Sequence, residues 1–251
     1  IEGKAWFGSI NARFPKLRNL FLFNDQGLNL RDAGQINHGT LTNSPTWASS
    51  PIGRAVTFAK ASSQYVELST PRLSGDITIM VIACKTASTP GGGDLDPVWY
   101  TRTSGNGWGL DLGNSFDGST PQRPHWALYG GGTAAAWMNG KKQAAGSGYF
   151  DADTVVNEWN TYVCIGVSTL AGDTNTLGRA NIFYGNVRIA LAASWARALG
   201  DGEADDISGA PVETLFSPPS SQLGWRFTGT SPPPPPPSNN NYFLPLLGVG
   251  D

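Results

Sequence analysis

The longest apolar run outside the ends of the chain is Asp76-Ile-Thr-Ile-Met-Val-Ile-Ala-Cys-Lys85, rich in the β-branched residues that suit a pleated surface. Strand alternation places Ile77, Ile79, Val81 and Ala83 on one face and Thr78, Met80, Ile82 and Cys84 on the other. Both faces are mostly apolar, so both must be covered. Gly75 and Asp76 before the run, and the Gly-rich stretch 90–93 after it, confine it to about ten residues, too short for a membrane span. The run predicts the central strand of a β-sandwich.

Shorter segments surround it at hairpin spacing. Ahead of it lie Leu20 to Phe23, the turn Asn24-Asp-Gln-Gly27, Leu28 to Asp32, Asn37-His-Gly-Thr-Leu41, Trp47, Gly53 to Phe58 and Gln64 to Leu68. Behind it, Val98 to Arg102, Trp108 to Leu112, His125 to Tyr129 and Ala135 to Met138 are strand candidates in a Gly-rich, aromatic section, 90–153, and complete a second sheet. Tyr149 to Val156 leads to a strand opening at Trp159, and Val187 to Leu191 is the last.

Composition agrees. The chain has 251 residues, 32 Gly, 18 Pro and 14% charged residues, the profile of many strands joined by turns. A formal charge of -2 supplies no basic footprint for nucleic acid and no polybasic face for a membrane. Cys84 and Cys164 each sit among apolar neighbours inside a predicted strand, where reduced, buried thiols are expected; a bridge requires those strands to be adjacent. No charged segment followed by an apolar stretch and a small-residue cleavage site opens the chain.

The two ends differ from the middle. Residues 1–19 mix Gly, Asn, Pro and basic residues with the isolated aromatics Trp6, Phe7 and Phe14, the pattern of an arm draped over a surface. From residue 217 the composition turns to Pro and Ser, with six consecutive prolines, Pro232 to Pro237, that predict an extended polyproline II rod. Beyond it Tyr242, Phe243, Leu244, Leu246 and Leu247 form an apolar end that needs a surface, either its own sandwich or another chain. The expected division is an arm at 1–19, a sandwich at 20–216 and a linker and tail at 217–251.

The order of Asn-His-Gly-Thr-Leu (37–41), Trp47, Gly-x-Ala-x-x-Phe (53–58), Tyr-Val-x-Leu (65–68) and Ile-Thr-Ile (77–79) resembles the laminin-G-like domains of the concanavalin A-like superfamily. So do the Trp159 strand and the closing Arg197-Ala-Leu199 with Glu203. The resemblance implies an all-β, two-sheet antiparallel jelly roll. Leu215-Phe-Ser-Pro218 after that turn, with the arms, is similar to phage proteins of the superfamily. This implies a structural component displayed on the virion surface, a head decoration or tail accessory protein made in the host cytoplasm, with an extracellular location as the alternative. Its partners would be other virion proteins and further copies of itself, met through Trp6, Phe7, Phe14 and Tyr242 to Leu247.

Retaining glucanases of the superfamily carry a Glu-x-Asp-x-x-Glu strand. No segment matches it, and of the five Glu only Glu203 has carboxylates two residues away, Asp201 and Asp205, with no second Glu beside them, so the chain is expected not to be an enzyme. The nearest echo is Asp94-Leu-Asp96, whose oxygens would suit calcium, the sole cofactor considered. His38 and His125 lie at no metal or triad spacing, and Gly105-Asn-Gly-Trp-Gly109 lacks the Lys and helix of a phosphate loop. Aromatic faces beside Asn and Asp stack sugars, so Trp99, Trp108, Trp126 and Trp137 are candidate glycan contacts for a carbohydrate-binding module, with core packing as the plain alternative.

Overall fold

A computed structural model of the chain describes residues 10–23, 29–30, 32–33, 38–69, 75–87, 95–103, 106–113, 123–128, 135–143, 148, 150, 153–168, 174–180 and 182–216. Among these, eight strands build one sheet, in the order β12 (Lys141–Lys142), β11 (Ala135–Met138), β13 (Asn160–Ser168), β7 (Gly75–Lys85), β17 (Val187–Trp195), β5 (Gly53–Phe58) and β4 (Thr46–Ser50). The eighth, β1 (Leu17–Leu22), pairs with the second half of β17 while β5 pairs with the first. Seven strands build the other, in the order β10 (His125–Leu128), β9 (Asn106–Asp111), β8 (Pro97–Thr103), β14 (Thr174–Leu177), β6 (Tyr65–Leu68), β3 (Gly39–Thr42) and β2 (Asn29–Leu30). A small hairpin, β15 (Arg179–Ala180) with β16 (Phe183–Tyr184), follows β14, and helices α1 (Asp201–Gly209) and α2 (Pro211–Phe216) follow β17. All pairings between these strands are antiparallel, and the fold is an all-β two-sheet sandwich.

The central strand behaves as its alternation requires. Ile77, Ile79, Val81 and Ala83 point between the sheets and pack with Val66, Leu68, Val98, Leu110 and Leu177 of the smaller sheet. Met80 and Ile82 point the other way, into a second core on the outer face of the larger sheet. That second core is roofed by the two ends of the described chain: Ile10 and Phe14 from the N-terminal side, Ala204 and Ile207 from α1, Leu215 from α2. Arg13 Nη1 donates to the carbonyl of Thr214 at 2.7 Å and ties the two ends together.

This arrangement corrects one expectation. Phe14, expected to reach a partner, is buried within its own chain with Ile10, because residues 10–13 form a helical turn that lays both side chains on the sheet. Residues 10–19 are therefore built into the sandwich, and β1 begins at Leu17. Trp6, Phe7 and Tyr242 to Leu247 lie outside the described residues.

Arg197 and Glu203, from the turn after β17 and the first turn of α1, form an ion pair. The guanidinium donates through Nη1 and Nη2 to the two carboxylate oxygens at 2.7 and 2.6 Å. Glu203 also accepts the Gly200 N–H at 2.8 Å at the start of α1, and Arg197 holds its carboxyl below the ordinary range. Cys84 and Cys164 are both free and buried. Their strands are neighbours, but the register sets Cys164 opposite Ile79, five residues along from Cys84. That is about 17 Å, too far for a disulfide.

Candidate functional site

While the outer face of the larger sheet is roofed, neither apolar cluster among the described residues extends over the outer face of the smaller one. Val66 and Leu68 of β6 turn inward, so Tyr65 and Glu67 turn outward. The register then aligns Thr40, Glu67, Thr176, Tyr100 and Gly109 in one row across β3, β6, β14, β8 and β9. Thr40 and Glu67 are exposed; Tyr65 and Tyr100 are half-buried. Gly109 is required in this row: a Cβ there would come 2.2 Å from the Trp99 carbonyl oxygen and 2.7 Å from Cδ2 of Tyr100. The Tyr100 ring thus leans over bare backbone.

At the other end of β6 the short hairpin folds beside the face. Gly178, at φ +80°, makes the bend between β14 and β15, and a Cβ there would meet the Phe58 ring at 2.8 Å. Beyond the bend the Arg179 guanidinium lies over the Tyr65 ring, Cζ 3.8 Å from its centroid. Tyr184, the cross-strand partner of Arg179, has its ring 6.1 Å from that of Tyr65 and tilted by 47°. Thr176 Oγ1 donates to the Arg179 carbonyl at 2.6 Å and fixes the hairpin to the sheet. From strand spacing and rise, Tyr65 and Tyr100 stand about 12 Å apart on the same face.

The tryptophans do not form the exposed stacking surface that the sugar-binding expectation needed. Trp99 (0% exposed), Trp126 (3%) and Trp137 (1%) are buried. Trp99 points between the sheets, with its indole N–H donating to Asn175 Oδ1 at 2.7 Å. Trp126 stacks edge-on against Phe150, and Trp137 belongs to the outer core. Large rings fill space that few Leu residues are available to fill. Trp108 pairs with Thr101 between β8 and β9, and its side chain lies outside the described residues, as does Asp94.

Asp96 is buried in a charge cluster at the end of β7. Lys85 Nζ lies 2.8 Å from Asp96 Oδ2, with the two side chains 1% and 0% exposed. The Asn186 N–H donates to Asp96 Oδ1 at 2.8 Å. Asp111 Oδ1 accepts from the N–H groups of Gly113 at 2.6 Å and Asp96 at 3.2 Å. Burial above all pushes the Asp111 carboxyl up to about 7; the negative charge of Asp96 adds to the rise, and the two N–H groups and Lys85 oppose it. His125, the register partner of Asp111, is pushed down to about 4 by burial. Both oxygens of Asp96 are thus engaged by an ammonium and a backbone donor. Among the described residues, no three His, Cys, Asp or Glu side chains gather as a metal site, and no helix is long and apolar enough to cross a membrane.

No family model and no curated protein matches the sequence. Solved structures match it in shape. A sialidase of Trypanosoma rangeli, in complex with 2,3-difluorosialic acid as a covalent intermediate, superimposes with a TM-score of 0.54 at 8% identity, over 85% of this chain and 38% of its own. Domain 4 of AbnA, a GH43 extracellular arabinanase of Geobacillus stearothermophilus in complex with arabinotriose, gives 0.45 at 13% identity, over 77% of this chain and 98% of that domain. The chain spans little more than a third of the sialidase chain, and at such identity the likeness is one of fold. It still corrects the expectation that the chain is not an enzyme. That expectation rested on the lack of one glucanase motif, whereas the fold is shared with part of the chain of an enzyme, the sialidase.

Proposed function

We propose that this chain is a carbohydrate-binding sandwich module that takes its ligand on the outer face of the smaller sheet. The observation that supports this is the pairing of two half-buried tyrosines, Tyr65 and Tyr100, with exposed Thr40 and Glu67 on a sheet face that no described apolar cluster covers. Tyr100 offers an apolar ring surface to the C–H face of a sugar, Tyr65, one ring face of which is covered by Arg179, borders the same site, and neighbouring hydroxyl and carboxylate groups fix orientation through the sugar hydroxyls. A glycan array with the full chain, followed by calorimetry on the strongest hit, tests it. Tyr65→Ala and Tyr100→Ala are each expected to weaken binding about tenfold, and Lys141→Ala on the edge of the larger sheet to leave it unchanged. Unaltered affinity in both tyrosine variants would sink the proposal.

A second proposal concerns where the module is displayed. Leu215 of α2 packs on the outer face of the larger sheet, opposite the ligand face, so the described residues end on the far side of the sandwich. The proline run and the apolar end with Tyr242, Phe243, Leu244, Leu246 and Leu247 suit an extended tether that docks on a neighbouring subunit, as on a virion surface. Truncation after Ser231 is expected to leave the sandwich folded and abolish association with the assembly, measured by light scattering and particle co-sedimentation. Undiminished association of the shortened chain would end this reading.

A further inference from the structure

We infer that the ligand of this face carries a carboxylate, an acidic sugar of the hexuronate or sialate class, and that Arg179 grips that group. The inference rests on the sugar-binding reading above and narrows its substrate.

Arg179 is built for a partner that the described chain does not provide. Its guanidinium is held with Cζ 3.8 Å from the Tyr65 ring centroid, a cation–π placement that leaves its N–H groups for contacts away from the ring. Its Nε is buried with no hydrogen-bond acceptor among the described residues, a shortfall that ordinarily costs about 1–3 kcal/mol. Lys85, Arg197 and Lys142 are matched by Asp96, Glu203 and Asp201, while Arg188, whose Nε is likewise buried without an acceptor among the described residues, belongs to β17 of the larger sheet and not to this face. Arg179 is in no ion pair among the described residues.

The surroundings select what kind of anion fits. A carboxylate takes two parallel N–H bonds from a guanidinium, whereas an ammonium offers only a point charge. Tyr184, beside Arg179 in the hairpin and tilted against Tyr65, adds a second aromatic wall with a phenolic group. The Thr176 bond to the Arg179 carbonyl and the bond from the Gly178 N–H to the Val98 carbonyl at 3.0 Å hold the hairpin before any ligand arrives, so little ordering is required on binding. Glu67, two residues along β6 and exposed, faces the same surface. Its carboxylate accepts hydrogen bonds from sugar hydroxyls and repels a chain that is anionic at every residue. The combination suits a single acidic ring flanked by neutral ones.

Calorimetry on the full chain separates the possibilities, with sialyllactose and a hexuronate-containing trisaccharide as probes, their methyl esters and lactose as neutral counterparts. The wild-type chain is expected to bind at least one acid about tenfold more tightly than its ester. Arg179→Lys is expected to lose that preference, its affinities for acid and ester falling within about twofold of one another, because the charge remains but the planar fork does not. Arg179→Gln serves as a second variant, and circular dichroism checks that each is folded. Equal binding of acid and ester, or a preference that survives in Arg179→Lys, overturns the inference and leaves the sugar-binding module standing. Binding of no saccharide at all overturns the module itself.

Discussion

Replacing Lys85 with Met is expected to lower the free energy of unfolding by about 3–5 kcal/mol, the cost of breaking a buried ion pair from one side. Met keeps most of the apolar stem and removes the ammonium. Asp96 and Asp111 are then left together at the end of the inter-sheet core, where Lys85 now lies 2.8 Å from Asp96 Oδ2 and water is excluded. Urea denaturation followed by Trp fluorescence measures the loss. Lys85→Met combined with Asp96→Asn separates charge from packing: the neutral pair should recover a large part of the stability, since Asn keeps an oxygen for the Asn186 N–H. If the double variant is no more stable than the single one, the stem of Lys85 matters and its charge does not.

Asp111→Asn should act in the opposite direction, and only above mid-acid pH. In the folded chain the Asp111 carboxyl is raised from 3.8 to about 7, so between these values the folded state holds a proton that the unfolded state has released. The stabilisation linked to that proton is complete below about pH 4 and is lost as pH rises through about 7. At about 1.4 kcal/mol per pH unit, the loss amounts to roughly 4 kcal/mol once Asp111 is ionised. Asn at this position keeps a carbonyl oxygen for the Gly113 and Asp96 N–H groups without a charge to bury. The stability difference between Asp111→Asn and the native chain should therefore be near zero at pH 4 and grow to a few kcal/mol at pH 8. His125, lowered to about 4, has the reverse dependence at acid pH, but it is present in both proteins and drops out of the difference. A difference that does not change with pH would mean that Asp111 titrates as an ordinary carboxyl.

Much of the sandwich is readable from alternation. The run 76–85, the Trp159 strand and Val187 to Leu191 carry apolar residues on both faces and emerge as the three adjacent central strands β7, β13 and β17. Strands β14, β15 and β16 escaped prediction because Thr-Asn-Thr-Leu, Arg-Ala and Phe-Tyr are too short and polar to show a period, and are held by neighbours rather than by propensity. The same shortness hid the candidate site. Tyr65 was visible only as one member of a Tyr-Val-x-Leu strand, and nothing local to Arg179 announces that it lies over that ring beyond a Gly at positive φ. The tryptophans misled for a different reason: sequence shows that a ring is present and not on which side of the sheet it lies. Lys85 closes a hydrophobic strand, where a long stem usually carries its charge out to water, and the position of Asp96, just ahead of β8, keeps it inside.

The pairing of β1 with β17, Leu17 opposite Trp195 and Leu22 opposite Leu191, also dictates when this protein can fold on the ribosome. β17 is the bridge between β7, β5 and β1, so until residues 187–195 have emerged the larger sheet is three pieces, β12–β11–β13–β7, β5–β4 and β1 alone, with unpaired edges. The nascent chain must keep those edges from pairing with other chains while nearly all of the sandwich is already outside the exit tunnel. Closure then comes in one late step that joins the first strand to the last, with the long-range loop that makes such topologies slow to fold. Chaperone dependence during synthesis, rather than after release, is where a weakened sequence would first fail.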